Sequence, residues 1–557
     1  MMLSFCQYLR MSWIQYLILV ALVDGKSFHL KVKTTHGLVQ GIKKGNSAAF
    51  LGIPYAAPPV GPFRWKNPQP LEAWEPLVLD ATTVPPGCIQ ICDDVSFVCP
   101  LETSEDCLRL NIYRPLDTRT SGLLPVMVFL HGGNYKSGAC SGPVYNSQIL
   151  APTIDAVVVC IEYRIGAMGF LYLEEDPETG ERIPGNFGIE DQIAALKFLW
   201  QNLESFGGDP NRITLTGQSA GAESISLLLT SPNHSELFSQ AILFSDPFSL
   251  PLKTPADSNT LGLSFASLLE CEPASLSCLR TKSVDEIASA TQESLSQLIN
   301  HEKAFQLFQQ WGPTVTEQPI TSIEAGLNAL KPIILGTCGE EGRIFVYEIL
   351  PEPVSTASYN MFQNILVPGL SQEIQQFFPP DPNVTDQRDV LSSMVTDYLF
   401  GCPTQYMAKL LIARGETRIY HYLFNHAFSF QHVWQQYKWC YGHACHGCDV
   451  PFIFLSATLN NEEYSEEEKR FVSIYSSYLA NFIHSGDPNH TGDGGQEGTD
   501  LAVWPKAGEV PGHLSTLILS ADEDIRSVED ISSEKCQLFD RMGYTGVSNI
   551  NKKNLNM

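Results

Sequence analysis

A serine flanked at two residues' distance by glycines is the clearest candidate for chemistry in this chain. The pentapeptide GQSAG (217–221) follows the apolar run ITLT (213–216) and precedes a stretch of helical character, 223–229. A G-x-S-x-G sequence between a strand and a helix is typical of a nucleophile elbow, in which the serine takes a strained backbone conformation and small glycines allow a tight turn. The alternative is an ordinary glycine-rich turn. The context favours Ser219 as a nucleophile.

A serine hydroxyl needs a base and an oxyanion site before it can attack a carbonyl carbon. The run HGGNY (131–135) follows an apolar run that ends at Leu130, and it is the type of turn that presents backbone N–H groups to a developing oxyanion. Losing one such donor typically slows catalysis by about 10²- to 10³-fold. This turn is therefore predicted to contribute nearly as much as the catalytic side chains.

Short apolar runs that alternate with helical stretches must position these residues. Apolar residues recur at helical spacing from Ile189 to Leu203 ahead of two glycines, which predicts a helix over 188–206. Alternation of strand and helix predicts a mostly parallel sheet. The strands predicted to be buried on both faces are 124–130, 156–161, 213–216, 241–244 and 332–335, with a last strand near 517–520 before a charged terminal helix.

Length and composition exclude several classes of protein. The chain has 557 residues, 44% of them hydrophobic, so it can build a large core and is not globally disordered. Its 35 basic residues against 61 acidic ones leave a formal charge of −26, which excludes binding to nucleic acid through the phosphate backbone. No internal repeat is present, and the polar stretch 485–500 is predicted to be a surface loop within a single large domain.

The first 25 residues predict export. Arg10 precedes an apolar run over 11–23, and Asp24 follows it, which is typical of a secretory signal peptide cut before Lys26; an uncleaved anchor is the alternative. No later segment has 18 continuous apolar residues, so no stable membrane anchor is expected. The expected organisation is a signal peptide (1–25), one domain (26–545) and a polar tail (546–557), in a secreted protein.

Sequons and cysteines agree with an oxidising compartment. N-x-S/T sequons predict glycosylation at Asn233, Asn383 and Asn489. Fourteen of the fifteen cysteines follow the predicted signal peptide, and exported proteins convert such residues into cross-links.

Several runs of sequence, in a fixed order, resemble the type-B carboxylesterases, the α/β-hydrolase family that includes the cholinesterases. Beside the elbow, these runs are FLGIPYAAPPVGPFRW from Phe50, SEDCLRLNIYRP from Ser104, NFGIEDQIAAL from Asn186, FGGDPNRITLTGQSAGA from Phe206 and HGCDVPFIF from His446. The resemblance covers nearly the whole mature chain. It implies an α/β-hydrolase fold, with a large central, mostly parallel sheet and helices on both faces, and hydrolysis of carboxylic esters without a metal or organic cofactor.

The resemblance also implies a catalytic triad. The elbow serine is Ser219, the acid is Glu341 in LGTCGEEG, and the base is His446 in HGCD. Glu340 is the weaker candidate for the acid. The chain order Ser, Glu, His is the one that α/β-hydrolases use. The family pattern further implies an oxyanion hole made by the backbone N–H groups of Gly133, Asn134 and Ala220, and a serine that supports the acid, Ser245.

The cysteines fall into three groups. The resemblance implies disulfides of Cys88 with Cys107, Cys271 with Cys278, and Cys402 with Cys536. Close spacing suggests two more, Cys92 with Cys99 and Cys440 with Cys445. Cys140, Cys160, Cys338 and Cys448 are left without a partner, and Cys160 in a buried strand is expected to be a packed free thiol.

Three departures from the family pattern bear on specificity. Gln218 replaces the glutamate that commonly precedes the serine, which removes a negative charge that would attract a cation. Asn134 stands where the family usually has a third glycine; asparagine tolerates left-handed dihedral angles, but its side chain should narrow the site. The loop 88–107 holds no tryptophan, the residue with which cholinesterases bind choline, so acetylcholine specificity is not expected and a general carboxylesterase is favoured.

Other interpretations stay open at this point. A non-catalytic adhesion protein of the same fold and a lipase for long acyl chains are the alternative functions; a small-molecule or lipid ester is the expected ligand. The sequence does not indicate the oligomeric state. Trp434, Trp439 and Tyr441 could line a substrate gorge or belong to the core. The cysteines and histidines that could instead form a zinc site are Cys440, His443, Cys445, His446 and Cys448.

Overall fold

The structure is a computed structural model that describes residues 30–92, 97–294, 308–366, 371–430, 433–490 and 501–544. The predicted signal peptide, the polar tail and most of the predicted loop 485–500 lie outside the described residues. Within them, no helix is long and apolar enough to cross a membrane.

A sheet of eleven strands runs through the described part of the chain. Its strands, in chain order, are β1 (Ile42–Lys44), β2 (Ser47–Pro54), β3 (Arg109–Pro115), β4 (Leu124–Leu130), β5 (Val157–Ile161), β6 (Gly208–Gln218), β7 (Gln240–Phe244), β8 (Ile333–Cys338), β9 (Ile419–Phe424), β10 (Ser515–Leu519) and β11 (Arg526–Glu529).

The strands lie in the order β1-β2-β3-β5-β4-β6-β7-β8-β9-β10-β11. All neighbours from β5 through to β10 are parallel. The pairs toward the two edges are antiparallel. The predicted mostly parallel sheet is therefore confirmed, and the carboxyl ends of β4, β6 and β8 meet at one edge of it.

Both faces of the sheet are covered by apolar side chains. In β4, where every residue is buried, Val126 and Val128 pack into one core and Met127 and Phe129 into the other. Successive side chains of a strand point to opposite faces, so an unbroken apolar run is what a strand between two helical layers requires.

Helices pack on both faces. The predicted helix over 188–206 is α3 followed by a 3₁₀ turn at Leu203–Phe206. The α-helices of the described residues are α1 (Leu150–Ile154), α2 (Gly166–Phe170), α3 (Phe187–Asn202), α4 (Ala220–Leu229), α5 (Pro255–Leu268), α6 (Leu276–Leu279), α7 (Val284–Glu293), α8 (Pro319–Glu324), α9 (Gly342–Ile349), α10 (Thr356–Leu366), α11 (Ser371–Phe377), α12 (Arg388–Val395), α13 (Cys402–Ala413), α14 (Val450–Phe454), α15 (Glu466–Ser485) and α16 (Ser533–Met542).

Smaller strands lie outside the main sheet. Lys31–Thr34, Gly37–Gln40 and Val78–Asp80 form a three-stranded sheet. Two short pairs complete the described strands, Gly87–Cys88 with Thr103–Ser104 and Tyr172–Leu173 with Ile183–Pro184.

The structure contains the five disulfides expected above, and one more. Cys140 pairs with Cys160, so the expectation that Cys160 is a packed free thiol is wrong. Cys160 is buried in the apolar strand β5, as expected. The segment after the HGGNY turn packs against the face of β5 to which Cys160 points, and this brings Cys140 into contact with Cys160. The pairs are Cys88 with Cys107, Cys92 with Cys99, Cys140 with Cys160, Cys271 with Cys278, Cys402 with Cys536, and Cys440 with Cys445.

Candidate active site

Ser219 lies at the sharp turn between β6 and α4. Its dihedral angles are φ 55° and ψ −125°, a sparsely populated region that typically costs on the order of 1–3 kcal/mol. A Cβ atom on Gly217 would lie 2.5 Å from the backbone of Gly221, and one on Gly221 would lie 2.1 Å from the carbonyl oxygen of Leu130. The two motif glycines are therefore required by close backbone contacts, and the strained elbow predicted from the sequence is present.

Glu341 and His446 are in direct contact. Glu341 lies between β8 and α9 and is fully buried. Its Oε1 accepts the backbone N–H of Cys338 at 2.6 Å, and its Oε2 accepts from Nδ1 of His446. Two hydrogen bonds on opposite oxygens fix the carboxylate, which in turn orients the imidazole.

Glu340, the weaker candidate for the acid, points elsewhere. Its carboxylate accepts from Nδ1 of His443 at 2.7 Å and pairs with Arg343 at 3.4 Å. The structure therefore brings only the second of the two adjacent glutamates to His446.

His446 is held on several sides. Its ring centroid lies 5.0 Å from that of Phe345 and 5.2 Å from that of Phe400. Two residues after it, the thiol of Cys448 contacts that of Cys338 at 3.6 Å, so the segments that carry the histidine and the glutamate also touch through these sulfurs. The second ring nitrogen, Nε2, lies 3.0 Å from the amide nitrogen of Gln218.

The turn after β4 places consecutive residues in the left-handed region of backbone conformation. Gly133 has φ 104° and Asn134 has φ 58°, so the asparagine adopts the expected left-handed conformation. A Cβ atom on Gly133 would lie 2.2 Å from the carbonyl oxygen of Ser137, which only glycine avoids. Ala220 is the first residue of α4, where backbone N–H groups have no acceptor within the helix.

The side chain of Asn134 makes a hydrogen bond outside the turn. Its Nδ2 donates to the carbonyl oxygen of Phe308 at 2.5 Å. This hydrogen bond joins the turn to Phe308, and both residues line the two cavities that border Ser219.

Ser245 is buried beside the acid but does not bond to it directly. Its hydroxyl lies 3.9 Å from the thiol of Cys338, the residue whose backbone N–H binds Glu341. Ser245 therefore contacts Cys338, the residue that binds Glu341, and not the carboxylate itself.

A cavity of about 200 Å³ opens over Ser219 and His446. Its wall is mainly apolar, and its charged side chains, Lys136 and Glu348, pair with each other at 3.5 Å. Of the three aromatic residues in question, Trp434 lines this cavity, Trp439 stacks on Tyr347, and Tyr441 is exposed. Other apolar lining residues are Phe97, Val144, Ile344, Val433 and Tyr437.

A second, smaller cavity of about 20 Å³ also borders Ser219. It is lined by Ala220 and Gln309 and by the apolar side chains of Leu250, Leu399 and Phe400. His446 lines the large cavity and does not line the small one. The serine therefore faces two unequal spaces, and the histidine belongs to the larger.

A buried polar cluster behind the elbow is a feature that the sequence analysis missed. Gln309 donates its amide to Glu223 Oε2 at 2.7 Å, and Nζ of Lys253 donates to the carbonyl oxygen of Gln309 at 2.5 Å. Burial raises the pKa of Glu223 to about 7 and lowers that of Lys253 to about 8. No motif marks these residues, since they come from three distant segments.

The residues considered as a zinc site each have another partner. Cys440 and Cys445 form a disulfide, His443 binds Glu340, His446 binds Glu341, and Cys448 contacts Cys338. These contacts account for the cluster without a metal.

Comparison with known proteins agrees with the geometry. The model of the carboxylesterase family matches residues 29–539. The chain is 32% identical over 527 residues to the para-nitrobenzyl esterase of Bacillus subtilis (92% of this chain, 99% of that protein). It is equally identical over 526 residues to the crystal protein of Dictyostelium discoideum (93% and 92%), and over 533 residues to the cholinesterase of Mus musculus (88% and 84%).

Solved structures give the same result. A PNB esterase superposes with a TM-score of 0.74 at 30% identity, and a thermophilic PNB esterase with a TM-score of 0.75 at 29% identity. Each comparison covers 92% of this chain and all of the other. The predicted α/β-hydrolase fold is confirmed. Sequence and fold together show that this chain belongs to the carboxylesterase family and is a carboxylic ester hydrolase.

Proposed function

We propose that the protein is a secreted serine carboxylesterase that works through a triad of Ser219, His446 and Glu341 and an acyl-enzyme intermediate. The observation that carries this proposal is the contact of Glu341 with Nδ1 of His446, beside the elbow serine at the floor of an apolar cavity. A carboxylate can only accept, so Nδ1 carries a proton and Nε2 of the neutral ring has the lone pair that a general base needs.

Acylation then proceeds as follows. The hydroxyl oxygen of Ser219 attacks the ester carbonyl carbon while Nε2 of His446 takes the hydroxyl proton. Glu341 stabilises the resulting imidazolium. The N–H groups of Gly133, Asn134 and Ala220 bind the oxyanion; neither Gly133 nor Asn134 uses its N–H on another described residue. The imidazolium then gives its proton to the leaving alkoxide.

Deacylation repeats these steps with water. His446 takes a proton from a water molecule as its oxygen attacks the acyl carbon, and the proton passes to Ser219 as the acyl bond breaks. The acid product leaves and the resting triad is restored. No step requires a metal or an organic cofactor.

The two cavities indicate the class of ester. His446 must protonate the leaving alcohol, so the alcohol part lies in the large cavity that His446 lines, and the acyl part lies in the small one. A space of about 20 Å³ holds roughly one water molecule, so it favours the shortest acyl groups over long chains. The large cavity carries one opposed charge pair, which gives a cation no net attraction. The favoured substrate is thus a neutral ester with a short acyl group and a larger apolar alcohol.

Export is part of the proposal. A signal peptide over 1–25 delivers one domain, 26–545, to an oxidising compartment, and the six disulfides support such a destination. The sequon residues Asn233, Asn383 and Asn489 are all exposed. Asn489 also exchanges two hydrogen bonds with the backbone of Trp504, which a glycan on its amide nitrogen would disturb, so glycosylation is expected to be most complete at the other two sites.

Hydrolysis of p-nitrophenyl acetate, butyrate and palmitate by the secreted protein and by Ser219→Ala tests this function. We expect turnover by the wild type alone, with kcat/KM falling from acetate to palmitate. Activity that rises with chain length, or only at an oil interface, would favour the lipase alternative. An inactive wild type of normal stability would favour a non-catalytic binding protein.

A further inference from the structure

The side chain of Gln218 contacts Nε2 of His446, the nitrogen that takes the serine proton in the proposed mechanism. Its amide nitrogen lies 3.0 Å from Nε2 of His446. The hydroxyl of Ser219 makes no hydrogen bond with any described residue, although it is the group whose proton Nε2 must take. In the substrate-free protein, the base is therefore engaged by the neighbour of the nucleophile.

The protonation of the ring follows from its other contact. Because Glu341 accepts from Nδ1, the neutral imidazole has a lone pair at Nε2. Only a donor satisfies this lone pair, and the NH₂ end of the Gln218 amide is a donor. The two contacts of His446 thus agree on one tautomer.

The amide of Gln218 lies in a narrow, buried space beside the ring. Gln218 is 5% exposed, and a Cβ atom on Gly132 would lie 2.4 Å from its Oε1. A Cβ atom on Gly447 would lie 3.7 Å from its Nε2. Gln218 therefore lies between the turn at 132–135 and the residue after His446, and the glycine at position 132 leaves the space that its Oε1 occupies.

We propose that Gln218 is a positioning residue whose amide latches His446 in the resting enzyme and is released from Nε2 when an ester binds. This proposal rests on the function proposed above. The latch keeps the neutral tautomer ready and keeps Ser219 weakly nucleophilic until a substrate fills the large cavity, which Gln218 lines.

A glutamate at this position would act in the opposite way. A carboxylate only accepts, so it would face Nε2 favourably only when that nitrogen carries a proton, and it would stabilise the imidazolium. The amide instead stabilises the neutral base. Replacing glutamate by glutamine therefore removes a charge, and it also changes which protonation state of His446 is favoured in the resting enzyme.

The titratable groups near the ring include Glu341, which binds it, and the buried Asp449; burial raises the pKa of Asp449 to about 7. Glu340 and His443 pair with each other on a neighbouring segment, and Lys136 and Glu348 pair in the wall of the large cavity. The buried thiols of Cys338 and Cys448 contact each other beside Glu341. A substitution at position 218 leaves all of these groups in place, so a change in the pH–rate profile reports on the contact with Nε2.

The test compares wild type, Gln218→Met and Gln218→Glu. The first readout is the rate at which a small fluorophosphonate, which lacks a bulky alcohol group, modifies Ser219 at pH 8. A hydrogen bond of ordinary strength contributes about 0.5–1.5 kcal/mol, so Gln218→Met should react about 2- to 10-fold faster. The second readout is the acid limb of kcat/KM for p-nitrophenyl acetate, which should move to higher pH in both variants, and by about one unit or more in Gln218→Glu.

A merely structural role of Gln218 would give a different result. Gln218→Met would then react at the wild-type rate or more slowly, and either outcome overturns the latch. Gln218→Glu is nearly isosteric, so it keeps the test available if the methionine variant does not fold; an acid limb that stays in place or moves to lower pH contradicts the proposal. If Ser219→Ala is modified as fast as wild type, the proposed function fails as well.

Discussion

The two sides of Ser219 are held in place in different ways. The base side, residues 338–341 and 440–448, is a set of short connections fixed by one disulfide, one thiol contact and hydrogen bonds to backbone at the end of β8. The oxyanion side, residues 132–135 and 308–309, is held by hydrogen bonds between segments that are distant in sequence. Asn134 binds Phe308, and Gln309 binds Glu223 and Lys253.

This difference separates catalysis from selectivity. In the proposed mechanism, the base side holds the atoms that move protons, and it tolerates little displacement because hydrogen bonds weaken steeply when their geometry changes. The oxyanion side combines the turn after β4 with part of the wall of the small cavity, and Gln309 joins this wall to the buried polar cluster. Substitutions on the base side should abolish turnover. Substitutions in the buried polar cluster should instead alter stability and the preference for acyl groups.

The largest effect is expected at the acid. In Glu341→Gln, the amide cannot stabilise the imidazolium, and its NH₂ group favours the wrong tautomer of His446, so kcat/KM for p-nitrophenyl acetate should fall by about 10³- to 10⁴-fold. Glu340→Gln is the matched control, since that glutamate binds His443. A similar loss in both variants would show that the assignment of the acid is wrong.

A smaller loss is expected at the oxyanion turn. In Gly133→Ala, the new methyl group meets the carbonyl oxygen of Ser137 and the residue must keep a φ near 104°, so the turn shifts and kcat should fall by about 10²- to 10³-fold with KM little changed. Gly122→Ala is the control, because Gly122 has φ 91° and open space around it. An unchanged kcat in Gly133→Ala would show that this turn does not take part in the mechanism.

Glu223→Gln should stabilise the protein in a pH-dependent way. The pKa of Glu223 is raised from 4.5 to about 7, so between these values only the unfolded chain ionises and the stability of the wild type falls as pH rises. Glu223→Gln has no carboxyl group at this position, so its stability does not fall in this way as pH rises. Its advantage should be absent below pH 4.5 and reach on the order of 2–3 kcal/mol above pH 7.

Thermal unfolding of wild type and Glu223→Gln at pH 4.5 and 7.5 measures this difference. The nearby Lys253 and Asp246 are unchanged in both proteins. A larger advantage at pH 4.5 than at pH 7.5 would have the wrong sign and would refute the buried, proton-binding state of Glu223.

The mildest effect is expected for Lys253→Met. It leaves the carbonyl oxygen of Gln309 without its donor, which should lower the free energy of unfolding by about 1–3 kcal/mol. Because Gln309 lines the small cavity, the ratio of kcat/KM for acetate to that for palmitate should also decrease. A lower melting temperature with an unchanged ratio would mean that the cluster supports the fold but not the selectivity.

Much of the base side and of the sheet could be predicted from the sequence. Buried strands such as Leu124–Leu130 and Ile333–Cys338 show as unbroken apolar runs, and the elbow shows as glycines at fixed spacing from Ser219. Glu341 and His446 are identified through the resemblance to the type-B carboxylesterases, by the runs LGTCGEEG and HGCD. The strands and the elbow, in contrast, are local patterns imposed by backbone conformation within a few residues.

The features that could not be predicted are contacts between segments far apart in sequence. Cys160 was expected to be unpaired because nothing local marks Cys140 as its neighbour. Gln218 was noticed for the charge it lacks, but its contact with His446 brings together segments far apart in sequence, and it requires the space that Gly132 leaves for the amide. Glu223 and Lys253 carry no motif at all, and only their burial together reveals them.

The most direct test of the central claim is to map the site of covalent modification. The secreted protein is inactivated with a fluorophosphonate, digested, and analysed by tandem mass spectrometry beside Ser219→Ala. The account predicts one adduct, on the hydroxyl of Ser219, in step with the loss of esterase activity, and none in the variant. An adduct on another serine, or turnover retained by Ser219→Ala, would contradict it.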